Sequence, residues 1–302
     1  YLTNGGSIGI TAPAGYITLP EIESCITMLT SWGFQVIIGN TIGKKDGTLG
    51  GTDAERLDDM QQMLDAKNIQ AILCARGGYG LVRIIDKLQW KKFTQYPKWI
   101  IGFSDITYLH GLLQHHIGFA SIHSKMCNSF PSDFSVADDV VKVSILSIKQ
   151  ALIGEKTNIF FPAINQQING TAKGVLVGGN LKIIESMAAS KSAIVGKGKI
   201  LFVEDTGEYL YSIDRMFWQL QRSGVLANIN GLIIGGFKVK LPDDVAENFN
   251  KTLEEIVLEK VLGYGYPVAF NFPVGHQKHN MALKCGVMHQ LNVGSTNNLI
   301  EI

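Results

Sequence analysis

Hydrophobic positions in the first half of this chain alternate between short unbroken runs and stretches with a helical period. Residues 7–11, 34–38, 71–75, 99–101 and 119–122 are apolar runs of strand length, as expected of strands buried on both faces. Between them, residues 21–32, 53–67, 81–88 and 107–115 carry apolar side chains at helical spacing. In 53–67 these are Leu57, Met60 and Leu64, behind Asp53 as a helix N-cap. Repeated strand–helix units of this kind predict a mostly parallel sheet covered by helices, with sites collecting at the carboxyl ends of the strands.

Residues 154–172 break the pattern. Asn158, Pro162, Asn165, Gln166, Gln167 and Gly170 fall there, as in a linker. A second unit follows, with strands at 174–178, 199–203 and 231–234 and helices at 180–189, 213–222 and 249–262. Short runs near 268–270, 285–287, 290–293 and 299–302 read as hairpins. The expected fold is therefore α/β in two domains. Residues 1–153 form a parallel sheet flanked by helices, 154–172 link, and 173–302 form a mixed domain with short antiparallel strands.

Composition narrows the function. With 302 residues and 46% hydrophobic content the chain can bury large cores, and its 33 glycines suit many tight turns. A net charge of +1 with no long run of one sign argues against a nucleic-acid or polybasic membrane partner. No apolar run approaches the ~20 residues of a membrane-spanning helix. No secretory pattern opens the chain, which begins at Tyr1 rather than Met, so a leader removed before Tyr1 stays open. The cysteines, Cys25, Cys74, Cys127 and Cys285, are dispersed and form no CxxC pair. Buried free thiols in a reducing, cytoplasmic setting are expected rather than disulfides or structural zinc.

The stretch from Lys98 to Thr107 carries the sharpest chemical signal. An apolar run ends at Gly102, Ser104 follows, and a helical pattern (Ile106, Leu109, Leu112, Leu113) begins at once. Ser104 is thus either an ordinary helix N-cap or a nucleophile exposed on a strand-to-helix turn, with the Asp105 N–H beside it as an oxyanion donor. Arg76-Gly77-Gly78-Tyr79-Gly80 follows another strand and lies on the same rim. It fits no nucleotide-binding pattern, and Gly77 or Gly78 can supply a second oxyanion donor or simply make a turn. Glu204 ends the strand at 199–203, as a strand-end charge or a site carboxylate. His276, behind Gly275 in a Pro- and Gly-containing loop, is the best-placed base, because such loops fix a side chain. His276 and His279 form a His-x-x-His pair with no acidic or cysteine partner nearby, so no metal is expected. His110 and His123 read as packing residues, with the rim also open to His123.

Seven motifs in order resemble the LD-carboxypeptidases of serine peptidase family S66. They are Ile8-Gly-Ile-Thr-Ala-Pro-Ala14, Ala75-Arg-Gly-Gly-Tyr-Gly80, Gly102-Phe-Ser-Asp-Ile-Thr107, Gly178-Gly-Asn-Leu181, Phe202-Val-Glu-Asp205, Ile213-Asp-Arg-Met216 and Pro273-Val-Gly-His276. The resemblance implies a Ser–His–Glu triad of Ser104, His276 and Glu204, with the nucleophile in the first domain and its partners in the second. It further implies release of D-alanine from murein tetrapeptide or a muramoyl-tetrapeptide during cell-wall recycling, without cofactor, by a cytoplasmic homodimer. Asp105, Gly77 and Gly78 are the expected oxyanion donors, and Arg76, Tyr79 and Asn180 the expected substrate contacts. Ile106 stands where an α/β-hydrolase elbow carries glycine, which counts against that fold but not against this family. Two other readings remain: a self-immunity hydrolase of the same family acting on acyl-adenylate antibiotics, and a non-catalytic sensor of cell-wall peptides.

Overall fold

Buried runs rich in Ile, Leu and Val assemble into two sheets that meet around one short helix. The computed structural model describes residues 1–242 and 248–302. In the first half, β1 (Ser7–Thr11), α1 (Leu19–Ser31), β2 (Gln35–Ile38), α2 (Asp53–Asp65), β3 (Ala71–Cys74), α3 (Lys91–Gln95), β4 (Trp99–Gly102), α4 (Thr107–Leu112), β5 (Ser121–His123) and α5 (Asp139–Ile153) follow in order. The second half runs β6 (Asn158–Phe161), β7 (Gly170–Asn180), α6 (Leu181–Ser186), β8 (Lys199–Thr206), α7 (Leu210–Arg222), α8 (Val225–Asn228) and β9 (Gly231–Lys238). It closes with α9 (Leu253–Val261), β10 (Val268–Ala269), β11 (Leu283–Cys285), β12 (Met288–Val293) and β13 (Asn297–Glu301).

The first sheet has the order β11-β5-β4-β3-β1-β2 and is parallel except for β11, which pairs antiparallel with β5. The second has the order β10-β9-β8-β7-β12-β13-β6, with β7 to β10 parallel and β12, β13 and β6 antiparallel. The fold is thus α/β in two parts, one mostly parallel sheet and one mixed. Two details depart from the sequence reading. Residues 154–172 hold β6 and the start of β7, so part of the expected linker is sheet edge. β11 comes from the C-terminal stretch yet completes the N-terminal sheet, where Leu283 faces His123.

Local chemistry explains most elements. α2 starts at a capping box in which Thr52 and Glu55 satisfy each other's backbone N–H groups. α9 repeats the device with Thr252 and Glu255. Residues 81–88, expected as one helix, form two 3₁₀ turns instead, separated at Ile84. Gly80 at φ 135° starts this stretch in a backbone conformation that does not propagate an α-helix. α5 escaped the sequence reading altogether.

The core does not stop at the domain boundary. Leu109 and Leu112 of α4 belong to one buried cluster together with Ile72 and Ile100 of the first sheet and Val177, Leu201 and Val203 of the second. Close approach here needs glycine: a Cβ on Gly179 would lie 2.4 Å from Thr107 Oγ1. With that space open, the Asn180 N–H donates to the Thr107 hydroxyl at 3.0 Å. The start of the helix behind Ser104 is thereby fastened to the strand beside Glu204.

Candidate active site

Ser104 sits on a strained turn. β4 ends at Gly102, Phe103 is extended at φ −150°, and Ser104 turns to φ 62° before a 3₁₀ turn leads into α4. A non-glycine residue in the left-handed region costs of order 1 kcal/mol or more and persists only where the surroundings impose it. Here the bend lifts the half-buried serine out of the strand line, on the rim shared with the turn after β3. Gly77 of that turn packs directly on it: a Cβ there would lie 3.0 Å from Ser104 Cβ and 3.3 Å from its Oγ. Gly78, at φ 99°, lies next to Gly15 instead. Among the described residues the N–H groups of Gly77, Gly78 and Asp105 donate to no backbone acceptor. The Gly77 carbonyl accepts from the Gly15 N–H at 2.9 Å, which holds the turn in place.

Glu204 and His276 come from different elements and meet. Pairing of β8 with β9 shifts register between Val203 and Asp205, where Glu204 faces two residues of β9, Gly235 and Gly236, so the bulge lies on β9 directly opposite Glu204. Bulges re-aim side chains. The Glu204 carboxylate is fully buried and accepts from His276 Nδ1 at 2.7 Å and from the His276 backbone N–H at 3.3 Å. Its second oxygen has no partner among the described residues. Gly275, at φ 106°, makes the contact possible, since a Cβ there would meet Glu204 Cβ at 2.5 Å. Gly235 serves the same end, because its missing Cβ admits Val274. The loop is braced further by the Asn280 side chain, whose Oδ1 accepts from the Gly275 N–H at 3.0 Å.

Ser104 and His276 are neighbours through Phe103, whose ring centroid lies 4.8 Å from that of His276. Among the described residues Ser104 Oγ makes no hydrogen bond to His276. Nδ1 is engaged by Glu204, which leaves Nε2 as the nitrogen available for proton transfer.

The surrounding polar groups are buried. Asp105 accepts from the Leu81 N–H at 2.8 Å, and burial pushes its carboxyl up to about 6. Asp205, beside Glu204, is likewise raised to about 6 by burial while accepting from Asn180 Nδ2 and the Lys182 N–H. His110 bridges Ser121 Oγ and the Gly102 carbonyl, and burial lowers it to about 4. It is a neutral brace of the elbow. His123 is fully buried between Phe103 and Phe202 with neither ring nitrogen hydrogen-bonded among the described residues, and burial pushes it well below its ordinary value.

The expected substrate contacts divide. Arg76 is exposed and donates to the Tyr16 carbonyl at 3.0 Å, and Tyr79 is exposed beside it. Both polar ends of the Asn180 side chain are used internally, Nδ2 by Asp205 and Oδ1 by the Ile183 N–H as the cap of α6. Among the described residues no group of three or more His, Cys, Asp or Glu side chains gathers as a metal site. No helix among them is long and apolar enough to cross a membrane.

Sequence reasoning missed Arg56. It is fully buried and donates to the carbonyls of Gly51, Pro13 and Gly80, clamping three loops around the rim. A signal existed: Arg56 lies on the same helical stripe as the buried Met60 and Met63.

The model of the peptidase S66 family described as the LD-carboxypeptidase N-terminal domain matches residues 8–124, and that of the LD-carboxypeptidase C-terminal domain matches residues 173–291. A probable murein peptide carboxypeptidase of Bacillus subtilis is 30% identical over 304 aligned positions, covering 99% of this chain and 93% of the relative. The crystal structure of a muramoyltetrapeptide carboxypeptidase from Oxalobacter formigenes superposes with a TM-score of 0.84 at 26% identity, covering 98% of this chain and 99% of that one. A structure of MccF in complex with glutamyl sulfamoyl guanosine gives a TM-score of 0.85 at 20% identity, covering 100% and 97%, a likeness of fold alone.

Proposed function

The chain belongs to the S66 family of LD-carboxypeptidases, and from that premise we propose that it hydrolyses the amide bond before the terminal D-alanine of murein tetrapeptide. Ser104 is the nucleophile, His276 the base and Glu204 the group that orients it. The observation that carries this reading is the buried Glu204–His276 Nδ1 hydrogen bond, on the rim where Ser104 stands at φ 62°. A carboxylate fixed on Nδ1 sets the tautomer in which Nε2 accepts a proton.

In the forward step Ser104 Oγ attacks the carbonyl carbon of the scissile amide as His276 Nε2 takes the hydroxyl proton. The tetrahedral oxyanion faces the N–H groups of Asp105, the next residue in the chain, and of Gly77, which packs on the serine. Collapse breaks the C–N bond, and the imidazolium returns its proton to the departing D-alanine amine. Water then attacks the acyl-enzyme with His276 again as base, freeing the tripeptide carboxylate and restoring the Ser104 hydroxyl. The imidazolium formed in each half is stabilised by the Glu204 carboxylate. On this reading the reaction belongs to cytoplasmic recycling of wall peptides by a homodimer, as the family resemblance implies.

The test is release of free D-alanine from purified murein tetrapeptide by the wild type and by Ser104→Ala. Release by the wild type and none by the variant is expected. Cleavage of an aminoacyl sulfamoyl nucleoside without D-alanine release, or peptide binding without turnover, overturns the proposal.

A further inference from the structure

A carboxypeptidase must recognise a free terminal carboxylate, and Arg76, the expected cation, is engaged with the Tyr16 carbonyl. Reaction geometry says where the carboxylate has to lie. His276 protonates the leaving amine, and the carboxylate carbon is two bonds from that nitrogen, ~2.5 Å away by standard bond lengths. The carboxylate therefore occupies whatever space His276 borders on the leaving-group side.

One open cavity of about 330 Å³ has His276 in its wall, together with Phe103, Lys125, Lys238, Gln277 and Lys278. Its cations are not equivalent. Lys278 is held by Asp138 at 2.6 Å. Lys125 is 7% exposed, and among the described residues its ammonium makes one long contact, to the Gln277 carbonyl at 3.4 Å. It pairs with no carboxylate there. Lys238 is exposed at the end of β9 and likewise has no acidic partner among the described residues. A buried ammonium without a counter-ion is costly and rarely left so by a fold. Here a second ammonium stands close enough to oppose its charge further, and both face the same cavity. Such an arrangement is relieved by an anion arriving from outside.

We propose that Lys125 and Lys238 bind the C-terminal carboxylate of the substrate in the cavity walled by His276, and so restrict cleavage to the last residue of the peptide. This inference rests on the proposed carboxypeptidase reaction. A free carboxylate accepts from both ammonium groups while its amine faces His276 Nε2. An amidated or extended C-terminus presents a neutral group to two unpaired charges and is rejected.

The experiment compares D-alanine tetrapeptide with the same peptide ending in D-alaninamide, following release of D-alanine or D-alaninamide. Wild type, Lys238→Met and Lys125→Met are assayed. Each variant is expected to lose about 10- to 100-fold in kcat/KM for the acid, mostly through KM, as for a charge-assisted hydrogen bond. Cleavage of the amide should stay within about threefold of wild type, because uniform structural damage would lower both substrates alike. The acid-to-amide preference thus collapses. Lys238 is exposed, so Lys238→Met decides the matter even if Lys125→Met fails to fold. A preserved preference in Lys238→Met, or equal loss on both substrates, overturns the inference. So does a wild type that cleaves acid and amide equally well, and that result leaves the carboxypeptidase reading standing. A wild type that cleaves neither peptide overturns the reading itself, and the inference with it.

Discussion

Replacing Glu204 with glutamine isolates the electrostatic part of the mechanism. The residue is fully buried, and it holds His276 through both the ring and the backbone N–H. Glutamine keeps the volume and an acceptor oxygen for Nδ1–H, but it removes the negative charge opposite the imidazolium. With charge centres ~4 Å apart and an effective dielectric of about 20, that attraction is about 4 kcal/mol. At roughly 1.4 kcal/mol per decade, kcat for D-alanine release should fall ~10³-fold. KM should change little, because the charge acts on the transition state rather than on bound peptide. Stability should hold or rise, since among the described residues one buried Glu204 oxygen has no partner and a neutral side chain removes a buried charge. The assay is initial-rate D-alanine release by a D-amino acid oxidase couple, with thermal unfolding measured in parallel. A folded Glu204→Gln enzyme with kcat within about tenfold of wild type refutes the reasoning, because the carboxylate would then serve packing alone.

Three further outcomes follow from the same geometry. Ser104→Gly should abolish hydrolysis yet raise the unfolding free energy in urea by about 1 kcal/mol, since φ 62° is strained for serine and free for glycine; an unchanged or lower value argues against strain at the turn. Gly275→Ala should lower kcat at least ~100-fold, because its Cβ would sit 2.5 Å from Glu204 Cβ and misplace the carboxylate that positions His276; an active Gly275→Ala enzyme contradicts this. Asp105 keeps its proton in the folded state up to about 6, against 3.8 in the unfolded chain, so its contribution is full below about pH 4 and is lost as pH rises to about 6. The stability difference between wild type and Asp105→Asn, measured by urea unfolding at several pH values, should therefore fall by roughly 3 kcal/mol across that window and be flat above it; a difference independent of pH refutes it.

The alternation of strands and helices was legible because buried parallel strands leave unbroken apolar runs and surface helices leave a stripe. That logic found β1 to β5 and β7 to β9, and the short C-terminal runs match β10, β12 and β13. It failed where tertiary contact decides the outcome. β6 is a sheet-edge strand whose Asn158 and Phe160 are exposed, so its composition resembles a loop, and only pairing with β13 makes it a strand. β11 is three residues long, and nothing local in Leu283, Lys284 and Cys285 says that they join the other domain's sheet. At the site, Ser104, Glu204 and His276 stood out because glycines and strand ends surround them. Arg56 and Lys125 did not, because a charged residue on an apolar stripe or after a strand declares its role only when its partners, or their lack, are seen.

Several unfavourable features coincide at one rim, and their coincidence carries more weight than any one of them. Ser104 is strained, Asp105 is raised by burial, and among the described residues Glu204 is a buried carboxylate with one unpartnered oxygen and Lys125 a buried lysine without a counter-ion. A fold selected only for stability has no reason to gather strain and desolvated charge in one place. Nor does packing there demand it: the cores on either side are apolar and continuous through α4, and that segment is fastened by the Thr107–Asn180 contact. The rigid frame is what allows the rim to hold such groups. On the proposed mechanism, strain lifts the nucleophile, the buried carboxylate fixes the base, and the Lys125 ammonium receives an anion. Each liability becomes useful only when a peptide with a free carboxylate fills the cavity beside His276, and so the specificity of the site is expected to lie in its charges more than in its shape.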